Sequence, residues 1–226
     1  MDFQEFEHLI ESAANEINLT EDVIFDDEDI CAIDLDTEGL VIDGNNHVID
    51  GNGKSSFFNV KASSITLKNI IFRNAYCEFS GGAIRNEGDL TIEDCKFCDN
   101  TSDEFGGAIY NAPNSKLTIK CCEFKNNKSD YGGAIYLDSN SILKLDGAVF
   151  ESNTSEFEGG AIYNRAKLHM FGGLFARNAS FKGGAIFNEW ELIAAYCDFA
   201  DNIASEGNHI KCENEKKTQI PACNFF

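Results

Sequence analysis

Gly81-Gly82-Ala83-Ile84 is the first of five copies of one tetrapeptide, and this repeat decides the fold. The other copies begin at Gly106, Gly132, Gly159 and Gly183, so the period is 24 to 27 residues. Between copies, a Leu-x-apolar motif is followed five residues later by phenylalanine, and an asparagine comes three residues after that. The phenylalanines are Phe97, Phe124, Phe150, Phe175 and Phe199, and the asparagines are Asn100, Asn127, Asn153, Asn178 and Asn202. Self-similarity at a fixed period is typical of a solenoid.

The repeat unit of about 25 residues predicts short strands rather than helices. Helix-pair repeats run to roughly 33–47 residues and need a 3.6-residue apolar period, which these units lack. The units instead show two-residue alternation over three short segments, as in Leu90-x-Ile92, Cys95-x-Phe97 and Gly107-x-Ile109. Crossovers between parallel strands are almost always right-handed. We therefore predict an all-β fold, a right-handed parallel β-helix with three short strands in each coil, a coil being one turn of the solenoid.

The inward and outward sides of each Gly-Gly-Ala-Ile strand follow from the two residues after the isoleucine. The first of these positions includes Arg85 and Lys211, which belong outside, whereas the second includes Leu137, which is acceptable inside. Isoleucine should therefore point inward, and the aromatic residues after it should stack outward: Tyr110, Tyr136, Tyr163 and Phe187. The alanines of the repeat would lie beside them as a flat surface strip: Ala108, Ala134, Ala161 and Ala185.

The two ends of the chain differ. Residues 1–16 predict a helical cap, with Asp2 and Glu5 as a capping box and apolar residues at helical spacing: Phe3, Phe6, Leu9, Ile10 and Ala13. Residues 17–226 predict about eight coils, because degenerate copies of the repeat extend the series at both ends. No comparable cap follows Phe226, so we expect the parent protein to continue or this end to associate with another chain.

The negative net charge of the chain argues against two classes of binding partner. Lys and Arg total 18 against 38 Asp and Glu, which gives a formal charge of −20. Nucleic acids and anionic membrane surfaces need a basic patch, so we expect neither as a partner. No apolar run is long enough to insert in a membrane, and the N-terminus has no signal-peptide pattern.

The asparagine series has two interpretations. Asn100, Asn127, Asn153 and Asn178 each begin an Asn-x-Ser pattern that could accept a glycan, and Asn18-Leu19-Thr20 is a fifth such pattern. Alternatively, the series with Asn202 forms an asparagine ladder, in which side-chain amides bond from coil to coil at a turn. The strict periodicity favours the ladder, because sugar attachment would not need the same phase in every coil.

The nine cysteines do not predict a metal site or a cofactor. Cys95-x-x-Cys98 and Cys121-Cys122 superficially suggest zinc. However, Cys95, Cys122 and Cys197 each lie two residues before a repeat phenylalanine, where other coils carry small or apolar residues. We expect these cysteines to be inward-facing free thiols, because cysteine behaves as a small hydrophobic residue.

Together the Gly-Gly-Ala-Ile and Phe-x-x-Asn motifs resemble the polymorphic outer membrane protein repeat of chlamydial surface adhesins. The opening, with its helix and the segment from Ile42 to Gly51, is similar to archaeal adhesin-like proteins of methanogens. The resemblance implies a right-handed β-helix with an adhesive role at the cell surface. Because the chain shows no export signal, a cytoplasmic location is the alternative.

Polysaccharide-active enzymes such as pectate lyases and polygalacturonases also use the β-helix. Glycoside hydrolysis needs carboxylates that converge in a cleft. Here Asp26-Asp27 is the only Asp pair, it lies before the repeats, and no cationic cluster could receive an acidic polysaccharide. We therefore expect no catalytic residues.

The function predicted from the sequence is a non-enzymatic, adhesin-like rod. Its candidate binding residues are the outward aromatic series Tyr110, Tyr136, Tyr163 and Phe187, and its expected partner is a cell-surface glycan or protein. A stack that only stabilises strand pairing is the structural alternative for these rings. A polysaccharide-active enzyme and a passive spacer are the alternative functions.

Overall fold

The protein is a right-handed parallel β-helix of about eight coils that begins with one short α-helix. The structure is a computed structural model, and it describes residues 1–25, 32–213 and 217–226. The strand pairs of this part of the chain are all parallel and join each coil to the next, which confirms the predicted fold class.

Three sheets run along the rod in the described residues. Sheet 1 contains Glu16–Asn18, Val23–Ile24, Val41–Asp43, Val48–Asp50, Ile65–Lys68, Ile71–Arg73, Asp89–Glu93, Lys96–Cys98, Lys116–Lys120, Glu123–Lys125, Ile142–Glu151, Lys167–Ala176, Glu191–Ala200, Thr218–Gln219 and Asn224–Phe225. Sheet 2 contains Ile33–Leu35, Phe58–Val60, Ile84–Asn86, Ile109–Asn111, Ile135–Leu137, Ile162–Asn164, Ile186–Asn188 and Ile210–Cys212. Sheet 3 contains Tyr76–Cys77, Thr101–Ser102, Lys128–Tyr131, Thr154–Glu158, Ala179–Lys182 and Ile203–Glu206.

The strands are distributed among the sheets differently from the sequence-based expectation. The Leu-x-apolar and phenylalanine segments both belong to sheet 1, and in three later coils they merge into one strand of ten residues. The strands of sheet 3 come directly after the repeat asparagines, where the sequence did not predict a strand. Its residues are mostly polar, so they carry no apolar alternation from which a strand could be predicted.

The core is organised by stacked phenylalanine rings. From Phe72 to Phe199 the ring centroids of successive coils lie 4.7–4.9 Å apart. This spacing matches the roughly 4.8 Å between neighbouring strands, so each ring lies directly over its predecessor. The isoleucine of each Gly-Gly-Ala-Ile copy is also fully buried, which confirms the predicted inward direction.

The N-terminal helix, Phe3–Ser12, covers the first coil. Asp2 accepts a hydrogen bond from the Glu5 backbone N–H and the Glu5 side chain accepts one from the Asp2 N–H, which confirms the capping box. Phe6 is buried 6.0 Å from the ring of Phe58, so the helix extends the apolar core over the open end of the solenoid. At the far end, Phe225 stacks on Phe199 but remains exposed.

Candidate binding face

The predicted aromatic series exists, but its rings are not on the surface. Tyr110, Tyr136, Tyr163 and Phe187 pair in register on sheet 2 and form a hydrophobic cluster separate from the main core. Successive ring centroids lie 5.7, 4.8 and 5.2 Å apart. Only 3–8% of each residue is exposed, so the expectation of an exposed strip is wrong. Because the ring faces contact one another along the rod, they are not free to stack on a ligand.

Rings from the segment before the glycines cover this series. The Phe105 ring lies 4.8 Å from Tyr136, and the Tyr131 ring meets Tyr163 edge-on at 5.7 Å. Phe105 and Tyr131 are themselves half-buried and joined by a backbone bridge between coils. The signal for this cover was present in the sequence, since an aromatic residue recurs just before the glycines. Its position over the tyrosines depends on how the chain turns there.

The double glycine makes that turn possible. Gly106 has φ +65°, and a Cβ atom on it would lie 2.2 Å from the Ile109 carbonyl oxygen. A Cβ on Gly107 would lie 2.3 Å from the carbonyl oxygen of Gly133 in the next coil. The first glycine therefore turns the chain and the second lets neighbouring coils approach, so that Phe105 and Tyr131, just before the glycines, pack against the aromatic series.

The alanine strip is also placed differently from the expectation. Ala108, Ala134, Ala161 and Ala185 are fully buried in the main core. The N–H groups of Ala108 and Ile109 both donate to the carbonyl oxygen of Ala134. Because the N–H groups of two successive residues bond to one carbonyl oxygen, their side chains do not alternate between the two faces of a strand. Two-residue alternation therefore predicts the inward and outward sides correctly only from the isoleucine onward, where the strand begins.

Polar groups at the turn after sheet 2 hold the tyrosine hydroxyls. Tyr110 Oη donates to Asp138 Oδ2 at 2.6 Å, and Tyr163 Oη donates to Glu189 Oε1 at 2.5 Å. Arg165 lies between these carboxylates, with Nε 3.2 Å from Glu189 Oε2 and Nη1 3.6 Å from Asp138 Oδ1. The sequence analysis missed this network, because its members are about one coil apart along the chain.

Electrostatics keeps the network in one protonation state. Burial, together with the hydrogen bonds to carboxylates, raises the pKa of Tyr110 and of Tyr163 above the ordinary tyrosine value. Burial alone would also raise the pKa of Asp138, but hydrogen bonds from Tyr110 and Ser139 and the charge of Arg165 lower it. Asp138 is therefore an ionised acceptor and the tyrosines are donors, an arrangement that fixes side chains rather than transferring protons.

Five aromatic residues of this face, three of them exposed and two half-buried, form what we call the aromatic rim: Phe79, Phe105, Tyr131, Phe157 and Phe181. Phe79, Phe157 and Phe181 are 64%, 40% and 52% exposed. The rim runs along the rod through consecutive coils, and the Phe157 ring touches Tyr131 at 5.2 Å. The rim therefore offers the aromatic surface that the sequence analysis assigned to the buried series.

Acidic residues directly precede the rim rings in the chain: Asp103 and Glu104 before Phe105, Asp130 before Tyr131, and Glu156 before Phe157. Asp130 is half-buried, and burial followed by the negative charges of Glu156, Asp103 and Glu104 raises its pKa. The Tyr76 hydroxyl donates to Asp103 at 2.9 Å. The rim is thus bordered by negative charge. The Asp26-Asp27 pair considered as a catalytic candidate lies outside the described residues.

The asparagine series forms a buried ladder. Asn153 Oδ1 accepts from the side-chain and backbone nitrogens of Asn127 at 2.9 and 3.0 Å. Asn153 Nδ2 donates to Asn178 Oδ1 at 3.0 Å and to the Phe124 carbonyl oxygen at 2.9 Å. The same pattern recurs along the series Asn100, Asn127, Asn153, Asn178 and Asn202, whose members are all buried. The ladder therefore joins neighbouring coils through amides whose donors and acceptors are used.

A second asparagine series, missed in the sequence analysis, lies at the end of the sheet 2 strands. Asn86 donates to Asn111 at 2.7 Å, and Asn164 donates to Asn188 at 2.6 Å. Leu137 occupies the position between these pairs, and Asn111 Nδ2 is buried without a hydrogen-bond partner. The leucine therefore interrupts a ladder that would otherwise be continuous.

The cysteines are positioned as the repeat frame predicts. Cys95, Cys122 and Cys197 are buried, whereas Cys121 is exposed. Burial raises the pKa of the Cys95 thiol well above its ordinary value. In the described part of the chain the cysteines are free, and no group of three or more potential ligands is arranged to hold a metal ion.

Comparison with known proteins agrees with the fold. A family model described as a right-handed beta helix region matches residues 10–179. No curated protein and no solved structure matches the chain. Over the ranges that the structure describes, no helix is long and apolar enough to cross a membrane. Because the family model matches well over half of a chain whose strands form that same solenoid, the chain belongs to the right-handed β-helix family.

Proposed function

We propose that the protein is a non-enzymatic, adhesin-like rod that binds an extended partner through the aromatic rim. The observation that carries the proposal is the row of exposed rings on consecutive coils, above all Phe157 and Phe181. Exposed apolar rings grouped on one face mark interaction sites, because burying them removes unfavourable contact with water. Because each coil contributes one ring, the rings recur along the rod with the period of the coils. A regular row of this kind suits a partner that is itself extended.

The charge around the rim supports a partner that is neutral or basic. Asp103, Glu104, Asp130 and Glu156 border the rings, and the whole chain carries a formal charge of −20. An acidic polysaccharide would be repelled, whereas a neutral glycan chain or a basic protein surface would not. We propose a neutral glycan displayed on a cell surface, since sugar rings offer apolar faces that can pack on aromatic rings. The proposed location of the rod is likewise the cell surface.

A pair of matched double variants tests the role of the rim. F157S/F181S removes two exposed rim rings, and F171S/Y196S removes an exposed aromatic pair from sheet 1, where the two rings contact at 5.3 Å. Both variants should keep the circular dichroism spectrum of the native protein. In a glycan array and a cell-attachment assay, the rim variant should bind at least about tenfold more weakly, which corresponds to roughly 1.4 kcal/mol. Equal binding by the native protein and the rim variant would contradict the proposal.

The acidic group around Asp130 favours one alternative function, a polysaccharide-active enzyme. A carboxyl group with a raised pKa could serve as a general acid, and this group lies beside other carboxylates. Release of reducing ends or unsaturated sugars from neutral polysaccharides, abolished in D130N, would favour the enzyme. A rod that shows neither binding nor turnover would be a passive spacer.

A further inference from the structure

The five Asn-x-Ser/Thr patterns of the chain fall into two structural classes. The four in the asparagine ladder begin at Asn100, Asn127, Asn153 and Asn178, and each asparagine is 0% exposed. The hydroxyl residue two positions later is also turned inward: Ser102, Ser129 and Ser155 are 1%, 3% and 7% exposed, and Ser180 is half-buried. In the folded protein the asparagine amide of each ladder pattern is therefore inaccessible to a transferase, and in three of the four patterns the hydroxyl group is buried as well.

The fifth pattern has the opposite orientation. Asn18 and Thr20 are exposed, and Leu19 between them is 0% exposed. Alternate residues of an extended chain share a face, so the amide and the hydroxyl point outward together while the leucine fills the core. Asn18 ends the strand Glu16–Asn18, which pairs with Val41–Asp43 in the next coil and lies at the end of sheet 1.

We propose that Asn18 is a site for N-linked glycan attachment in the folded protein and that the four ladder patterns are not. The donor class is a lipid-linked oligosaccharide. In the transfer, Asn18 Nδ2 forms a bond to the anomeric carbon of the sugar and loses a proton, which the departing lipid phosphate takes up. The bond from that carbon to the lipid phosphate breaks, and the lipid phosphate leaves with the electron pair. No oxidant or reductant is needed.

The ladder patterns have a separate consequence when transfer precedes folding. A sugar on Asn153 would occupy the space of its four hydrogen bonds to Asn127, Asn178 and Phe124, and the coil could not close over it. Modification at a ladder asparagine and formation of the β-helix are therefore mutually exclusive. Folding before transfer directs the glycan to Asn18.

In vitro transfer to folded and unfolded protein tests the proposal. The purified chain is incubated with a single-subunit oligosaccharyltransferase and a lipid-linked oligosaccharide, either in native buffer or after unfolding in urea and dilution into the reaction. Peptide mass spectrometry then maps the modified asparagines. We expect one glycan, on Asn18, in the native reaction, and additional glycans on ladder asparagines in the unfolded reaction. Molecules modified on the ladder should fail to regain the β-sheet circular dichroism spectrum.

Two variants serve as controls. T20A should abolish modification of the folded protein, whereas S129A, which removes a ladder pattern, should leave it unchanged. Modification of a ladder asparagine in folded protein would overturn the proposal. So would the absence of a glycan on Asn18 in folded protein when the same position is modified in the unfolded reaction.

Discussion

The asparagine ladder should contribute strongly to stability, and Asn153→Ala measures that contribution. Asn153 makes four side-chain hydrogen bonds in a buried site, two as an acceptor from Asn127 and two as a donor, to Asn178 and Phe124. Truncation removes all four and leaves the Asn127 backbone N–H facing a cavity. At a net ~1 kcal/mol per bond and ~1–3 kcal/mol for a buried unpaired group, we expect a loss of about 5–7 kcal/mol.

The assay is urea unfolding followed by far-ultraviolet circular dichroism, with the midpoint and the slope fitted separately. The matched control is Asn59→Ala, because Asn59 makes one exposed side-chain hydrogen bond, to Asp34 at 3.1 Å. An exposed contact of this kind is worth at most ~1 kcal/mol. If Asn153→Ala lowers the free energy of unfolding no more than Asn59→Ala does, the ladder does not stabilise the stack and the reasoning is refuted.

Three further predictions concern the second asparagine series, the buried rings and pH. Leu137→Asn and Leu143→Asn each place an amide at a buried leucine, but only Leu137→Asn gives the buried Asn111 amide an acceptor. Leu137→Asn should therefore destabilise the protein by at least ~2 kcal/mol less than Leu143→Asn does. Equal urea midpoints for the two variants would contradict this. Tyr136→Ser should cost about 2–4 kcal/mol, since its buried ring is stacked on both sides, and thermal unfolding that matches the native protein would show otherwise. Burial raises the pKa of the Cys197 thiol to about 12. The unfolded thiol ionises near pH 8.5, so stability is retained below that pH and lost as the pH rises toward 12, by up to ~1.4 kcal/mol per pH unit. Cys197→Ala should make the fall in the urea midpoint between pH 8 and pH 11 shallower, and an identical slope in both proteins would refute the assignment.

The aromatic series of the candidate site shows what the sequence alone cannot predict about the burial of a side chain. Parity along the Gly-Gly-Ala-Ile strand correctly separated Ile109, which faces the core, from Tyr110, which faces away from it. It could not show that Tyr110 is covered, because the covering Phe105 belongs to a segment with no strand signal. A residue that faces away from one core can still be buried by another layer of the same chain.

The sequence by itself determined the solenoid, its period and its inward-facing column of phenylalanines. These features follow from short-range alternation and from exact spacing, which place equivalent residues above one another whenever the coils stack. Only the tertiary structure decided which outward residues meet water, because that depends on how the turn at the double glycine places Phe105 and Tyr131 over the aromatic series. The same packing decided that four attachment patterns face the interior while Asn18 faces solvent, since the accessibility of an Asn-x-Ser/Thr pattern depends on which side of the coil its asparagine faces.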